Sequence, residues 1–226
     1  KSIKKKKKKY FIIDLSKNNI FKKDTYSHRI SIGQFGKILK LIRDKNCKKV
    51  IFAGKINKPK FSQLKLDMTG IYYIPRIIKA AKKGDAAILK DLIKILSLEK
   101  IKVISSTYFN PELSLKRGNY SKFKPNKYDL IDIKKGMKIL QNSNSYDHVQ
   151  AVIVKKNIAL METSKGTKKL IQSIRKTKIS SGVLIKFPKK KQDLKADLPT
   201  IGLDTFKDCK KVGLKGVVLK NKKNIF

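Results

Sequence analysis

The sequence predicts an α/β protein whose first half is built on a parallel crossover and whose second half again mixes strands with helices. Three observations carry that prediction. Tyr10-Phe11-Ile12-Ile13-Asp14-Leu15 is a short apolar run, Gln34 to Arg43 has apolar residues at helical spacing, and Lys49-Val50-Ile51-Phe52-Ala53-Gly54 is a second buried-type run. Strand, helix and strand in that order call for a parallel crossover. The second half alternates in the same way, with apolar runs at Ala151–Val154, Gly182–Lys186 and Gly216–Leu219 separated by helical patterns. At 226 residues and 40% apolar composition the chain can build real cores, as one large domain or two small ones.

Each element has its own signal. Tyr10–Leu15 is a buried strand, and Gly33 opens a helix whose apolar face is Phe35, Ile38, Leu39 and Ile42. After the Lys49–Gly54 strand come helices over 71–82 and over Ala86–Leu98. The second carries Ile88, Leu89, Leu92, Ile93 and Leu96 on one face, with Asp85 expected as its N-cap. Ile101–Ile104 is a further strand. From Phe109 to Lys127 the chain is rich in Pro, Gly, Ser, Asn and Lys, which predicts a boundary. The expected division is 1–110, a linker at 111–127, and 128–226. A helix near Leu130–Leu140 then precedes strands Ala151–Val154 and Ile158–Met161, joined as a hairpin through Lys155-Lys156-Asn157. A short helix over Lys168–Ile174 follows Gly166-Thr167, then the Gly182–Lys186 strand, a turn over Gln192–Gly202, a helix Thr205–Val212 capped by Asp204, and a last strand. No repeat of 20–50 residues is visible.

The formal net charge is +41, a value that suggests nucleic acid. Of the 57 basic residues only 5 are Arg, whereas base readout and bidentate phosphate recognition favour Arg. The lysines are spread along the whole length, so most of the charge is read as solvated surface. No specific nucleic acid is expected; the expected anionic partner is an acidic membrane surface. Cys47 and Cys209 are isolated and His28 and His148 lie far apart, so no zinc spacing or redox pair exists, and free thiols suit a reducing cytoplasm. No apolar run approaches the roughly 20 residues that span a bilayer. Lys1-Ser2-Ile3 and the Lys4–Lys9 run form no signal-peptide core. They lack an initiator Met, and the chain is expected to be incomplete at its start.

The segment Gln192-Asp193-Leu194-Lys195-Ala196-Asp197-Leu198-Pro199-Thr200-Ile201-Gly202 holds the most chemistry. Two carboxylates stand four apart, before a Pro and a Gly and just after Lys186-Phe187-Pro188-Lys189-Lys190-Lys191. A carboxylate on a turn beside ammonium groups can gather a divalent cation and a phosphate. The plain alternative for Asp197 is a turn-forming Asp, and the same alternative is favoured for Asp193.

In order along the chain, Ile32-Gly33-Gln34-Phe35-Gly36-Lys37, Phe52-Ala53-Gly54-Lys55 leading to Lys58-Pro59, Lys83-Gly84-Asp85, Gln150-Ala151-Val152, Glu162 with Gly166-Thr167, Gly182-Val183-Leu184 with Lys186 and Pro188, and Asp197-Leu198-Pro199-Thr200-Ile201-Gly202 together resemble the UDP-2,3-diacylglucosamine pyrophosphatases of the LpxI type. The resemblance implies two domains, a Rossmann-like N-terminal domain with a parallel sheet and a second, distinct α/β C-terminal domain, with the substrate between them. It also implies Mg²⁺-dependent hydrolysis of UDP-2,3-diacylglucosamine to UMP and 2,3-diacylglucosamine 1-phosphate in lipid A biosynthesis, at the cytoplasmic face of the inner membrane. Water is expected to attack the sugar-side phosphorus, and Asp197 is the implied catalytic residue and metal ligand. The chain departs from the family pattern at three places. It lacks a GGGxLP turn, Gly84-Asp85-Ala86 stands for Gly-Asp-Asp, and Lys165-Gly166-Thr167-Lys168 stands for Glu-Gly-Thr-Asp.

The resemblance assigns substrate contacts to Gly54, Lys55, Ile56, Gly84, Asp85, Gln150, Glu162, Gly166, Thr167 and Lys186, with Asp85 as a second metal ligand. Several have plain alternatives. Asp85 needs no role beyond a cap, Gly54-Lys55 is equally a tight turn with a solvated Lys, and Gln150 and Glu162 read as exposed polar positions flanking a hairpin. Gly166-Thr167 at a helix start offers N–H groups to an anion, which Lys165 and Lys168 would reinforce. Lys186, on an apolar strand, is the Lys expected to touch phosphate. A homodimer is allowed but not required. The rival readings are a binding-only relative that has lost its chemistry and a basic nucleic-acid-binding protein, whose marker would be selective rather than merely salt-dependent binding.

Overall fold

A computed structural model of the chain describes residue 3 and residues 6–16, 21–54, 60–142, 149–177, 179–189 and 192–226. It forms two compact units, Lys1–Asn110 with Lys195–Asp197, and Pro111–Leu194 with Leu198–Phe226. Both mix helices with sheets, as the α/β prediction requires.

In the first unit β1 (Ile12–Asp14) pairs in parallel with β2 (Ser27–Arg29), and β3 (Lys49–Val50) pairs in parallel with β4 (Lys102–Val103). The helices α1 (Phe35–Asp44), α2 (Met68–Lys82) and α3 (Asp85–Leu98) accompany them. The expected pairing of the first two apolar runs is replaced, among the described residues, by these two separate ladders. The sequence shows no apolar run at Ser27-His28-Arg29, so β2 was invisible to hydrophobic pattern. The expected Lys49–Gly54 strand keeps only two ladder residues, because its partner offers only Lys102 and Val103. One core joins the ladders all the same: Ile38, Leu39 and Ile42 of α1 pack with Leu96, Ile101 and Val103, against Phe11, Ile13, Val50 and Phe52.

The Ile32–Lys37 motif is a helix joint. Asp67 is the N-cap of α2 and accepts from Gly70 N–H at 2.8 Å, while its other oxygen accepts from Lys37 N–H at 3.0 Å in the first turn of α1. One carboxylate thus serves two helix starts. Burial pushes this carboxyl up, but the N–H groups of Gly70, Gly36 and Lys37 more than offset it and hold it below the ordinary value. The approach is close enough that a Cβ on Gly33 would stand 2.6 Å from the Lys65 carbonyl oxygen.

The second unit is built on a four-stranded sheet in the order β6-β5-β7-β8, from β5 (Ala151–Lys155), β6 (Ile158–Met161), β7 (Val183–Lys186) and β8 (Gly216–Leu219). β5 is antiparallel to β6 and β7, and β7 is parallel to β8. Both faces are covered, which is why β5 and β7 are unbroken apolar runs. Ile133, Met137 and Leu140 of α4 (Lys127–Asn142) meet Val152, Val154, Val183 and Ile185 on one face. On the other, Leu170 and Ile171 of α5 (Gly166–Gln172) and Cys209 of α6 (Leu203–Lys211) pack with Ala151, Ile153 and Leu184. At Gly136 the helix lies so near the sheet that a Cβ would stand 2.5 Å from Ile185 Cδ1.

The predicted hairpin closes on Lys156 and Asn157, both with positive φ (48° and 60°), the backbone of a two-residue turn matched to strand twist. Helix α4 clamps it: Asp132 accepts from Asn157 N–H at 2.8 Å and Lys135 donates to the Asn157 carbonyl. Two cap assignments shift by one or two residues. Gly84, with φ 109°, is the N-cap of α3 and Asp85 its first helical residue; Gly202 caps α6, with Asp204 in its first turn. In both places a glycine or extended backbone makes the entry, and the Asp acts on the helix dipole instead.

Candidate functional site

The register of the second sheet gathers several of the predicted residues at one edge. Ala151 pairs with Lys186, Lys186 with Leu219, and Val152 with Met161. The start of β5 and the carboxyl ends of β6, β7 and β8 therefore lie together, the edge where parallel strands present ligands. Gln150, Glu162 and Lys186 all sit on that edge.

Glu162 is the hub of one cluster. It is 5% exposed, which corrects the expectation of an exposed polar position. Its carboxylate accepts from Gln150 N–H at 3.1 Å and from the Thr167 hydroxyl at 2.7 Å. A buried charge persists only when its lone pairs are satisfied, and here the donors come from the start of β5 and the first turn of α5. Glu162 thereby fixes where that helix begins relative to the sheet. Gly166, with φ 83° and open space above its Cα, starts α5 in a backbone state that favours glycine. Lys165 and Lys168 are exposed beside it.

Lys186 is the hub of the other. It is 8% exposed, and its ammonium donates to the Thr200 carbonyl at 3.2 Å. Asn224, 3% exposed, donates to the Lys186 carbonyl at 3.2 Å and accepts from Lys220 N–H at 2.9 Å. A further bridge pairs Thr200 with Ile225, where Ile201 N–H donates to Ile225 O and Ile225 N–H to Pro199 O, both at 2.9 Å. The Leu198-Pro199-Thr200 part of the motif is thus fastened to the sheet edge by a Lys and by the last residues of the chain. The Lys186 ammonium thus gives one of its donors to this loop.

Asp197 stands three residues before Thr200 and is exposed. Asp193 is half-buried. In the first unit Gly54 is exposed with φ 87°, and a Cβ added there would meet nothing within 4 Å; the same openness holds at Gly84. Asp85 is exposed at the start of α3. Lys55, Ile56 and His148 lie outside the described residues. Among those described, no three His, Cys, Asp or Glu side chains converge as a ready-made metal cage.

A sequence profile described as the LpxI N-terminal domain matches residues 1–113, and one described as the LpxI C-terminal domain matches residues 116–226. The UDP-2,3-diacylglucosamine pyrophosphatase LpxI of Caulobacter vibrioides is 32% identical over 198 residues, 84% of this chain and 71% of the relative. The chain belongs to the LpxI family. Membership gives the fastened loop its interest, since Asp197–Gly202 is one of the ordered motifs behind the resemblance and holds its implied catalytic residue. Sequence reasoning missed Asn224, which lies in the Lys-rich end Lys220–Phe226 without any periodic pattern to mark it. It also missed the double-capping Asp67, one of whose partners, Lys37, is 30 residues away.

Proposed function

We propose that this LpxI-family chain hydrolyses the pyrophosphate bond of UDP-2,3-diacylglucosamine, adding water to give UMP and 2,3-diacylglucosamine 1-phosphate for lipid A synthesis. The observation that carries the reading is the match of both family domains to residues 1–113 and 116–226. The fastening of the Asp197 loop supports it: a carboxylate that must meet a diphosphate repeatedly needs a loop anchored on rigid strands.

In this reading Asp197 orients the attacking water or holds a Mg²⁺. Mg²⁺ commonly takes one or two carboxylates and completes its shell with water and the substrate's phosphates. An exposed single carboxylate fits that mode, and Asp85 is the candidate for a second. When bound, the ion would neutralise charge on the phosphoryl oxygens. Lys186 positions the loop through the Thr200 carbonyl and Ile225 through Pro199 and Ile201, while Asn224 holds the Lys186 carbonyl. Glu162 positions Thr167 and Gly166, whose helix-start N–H groups, with Lys165 and Lys168 beside them, suit an anionic group of the substrate. Gly54 and Gly84 leave room for a ligand near the backbone, and Lys55 and Ile56 are assigned to the substrate through the family motif. The place of action is the cytoplasmic membrane surface, where a diacylated substrate resides.

The test is UMP release from UDP-2,3-diacylglucosamine by the full chain, with Mg²⁺ or with a chelator, beside Asp197→Ala. Release that needs Mg²⁺ and falls at least about 100-fold in the variant is expected for a group acting on the reacting centre. No release by the parent chain, or equal release by both proteins, overturns the reading. Substrate binding without turnover would identify a binding-only relative.

A further inference from the structure

Helix α2 presents an apolar stripe to the outside. Met68, Ile71, Tyr72, Pro75 and Ile78 recur at spacings of three and four, which places them on one helix face. All five are exposed, Met68 at 82%, Tyr72 at 76% and Ile71 at 54%. The usual surface helix shows the reverse, with its apolar stripe inward. The buried side of α2 is instead made by Gly70 and Ala80, whose small size lets it pack closely. Leu98, at the end of α3, is a further exposed apolar residue at 70%. Beside the stripe a groove of about 330 Å³ is lined by Met68, Thr69, Tyr72 and Tyr73 with Leu39 and the Arg43–Glu99 ion pair.

Helix α2 itself carries charge of one sign. Lys79, Lys82 and Lys83 are exposed along its C-terminal end and Lys65 precedes it. From Met68 to Gly84 the sequence has no Asp or Glu, and Arg76 is turned to Asp91 of α3 at 2.9 Å. An exposed apolar stripe bordered by lysines is the pattern of a helix that lies in a membrane interface. A second copy of the chain fits this face poorly, because each copy carries a net charge of +41 and the two would repel.

We propose that the exposed face of α2 docks the protein on an anionic lipid bilayer, with Met68, Ile71 and Tyr72 entering the headgroup–acyl boundary and Lys79, Lys82 and Lys83 on the lipid phosphates. The proposal rests on the membrane-borne substrate of the function proposed above and names the surface that meets it. Docking by a helix rather than by diffuse charge gives specific consequences. Binding to anionic vesicles should persist partly in salt, since the apolar contribution is not screened.

The experiment is co-sedimentation of the full chain with vesicles of phosphatidylethanolamine and phosphatidylglycerol, and with neutral phosphatidylcholine vesicles, at about 0.15 M salt. The variants are Ile71→Ser with Tyr72→Ser, Lys79→Gln with Lys82→Gln, and, as a charge control, Lys134→Gln with Lys138→Gln on α4. The apolar pair and the α2 lysine pair should each weaken binding to anionic vesicles by 10-fold or more, while the α4 pair changes it less than 3-fold. Equal weakening by both lysine pairs, with no effect of the apolar pair, would show attraction by overall charge and overturn the proposal. A dimer in solution that Tyr72→Ser dissolves would overturn it in favour of a second copy. Turnover of detergent-dispersed substrate separates this from the enzymatic reading. The α2 variants should keep it, and loss of vesicle binding with retained turnover leaves the hydrolase standing.

Discussion

Replacing Lys186 by Met distinguishes a positioning Lys from a stabilising one. Lys186→Met keeps an unbranched stem in the space between β5 and β8 and deletes the ammonium 3.2 Å from the Thr200 carbonyl. A hydrogen bond from a charged donor contributes about 1.5–3 kcal/mol. Against it stands the desolvation of an ammonium on a residue 8% exposed, a cost that exchange for an apolar side chain removes and that is often of comparable size. Thr200 is exposed, so its carbonyl can turn to water. The two contributions oppose each other, so deleting this bond should by itself change global stability by no more than about 1.5 kcal/mol. Turnover answers to a different quantity, the placement of Asp197, where a displacement of about 1 Å can cost about 100-fold. The assay is UMP release with saturating substrate, paired with urea unfolding of the same preparation. A fall in kcat of about 100-fold with a nearly unchanged unfolding midpoint is expected. Wild-type turnover would refute the positioning argument, and a collapse of stability by more than about 4 kcal/mol would show that the loss reports unfolding.

Three further outcomes follow from the packing. Glu162→Leu leaves Gln150 N–H and the Thr167 hydroxyl without their acceptor, and should cost about 2–4 kcal/mol by denaturant unfolding; Glu162→Gln, which retains one acceptor oxygen, should cost about half as much. Gly136→Ala forces Ile185 from its place on β7 and should cost about 1–3 kcal/mol, with no loss if α4 can lift off the sheet unaided. Burial and the neighbouring Asp208 push the Cys209 thiol up to about 11, so at neutral pH it should resist a thiol reagent in native protein and react once urea unfolds the chain. A fast native reaction at Cys209 would contradict the burial that raises it.

What the sequence revealed depended on how far each cause reached along the chain. The strands β5, β7 and β8 were legible because both sheet faces are covered and the apolar runs are continuous; β2 was not, because Ser27-His28-Arg29 has no apolar run and is placed by backbone pairing to β1 and by the His28 ring against Phe11. The motif Asp197–Gly202 could be found, but its fastening could not. Lys186, Thr200 and Asn224 meet only through the sheet edge, and no local pattern connects a Lys on β7 to an Asn 38 residues later. Glu162 was misread for the same reason, since a carboxylate beside a hairpin looks solvated until α5 folds back to give it the Thr167 hydroxyl. Asp67 shows the general rule in a measurable form. Its folded-state carboxyl is held below the ordinary value, so the stability it contributes is complete above the ordinary carboxylate range and is lost as pH falls through about 4 and lower. Asp67→Ala removes a cap from both α1 and α2, at about 1 kcal/mol each. The gap in unfolding free energy between parent and variant should therefore be about 2 kcal/mol at pH 7 and should narrow toward pH 3. A gap that stayed constant with pH would mean that the side chain acts by shape and not by charge.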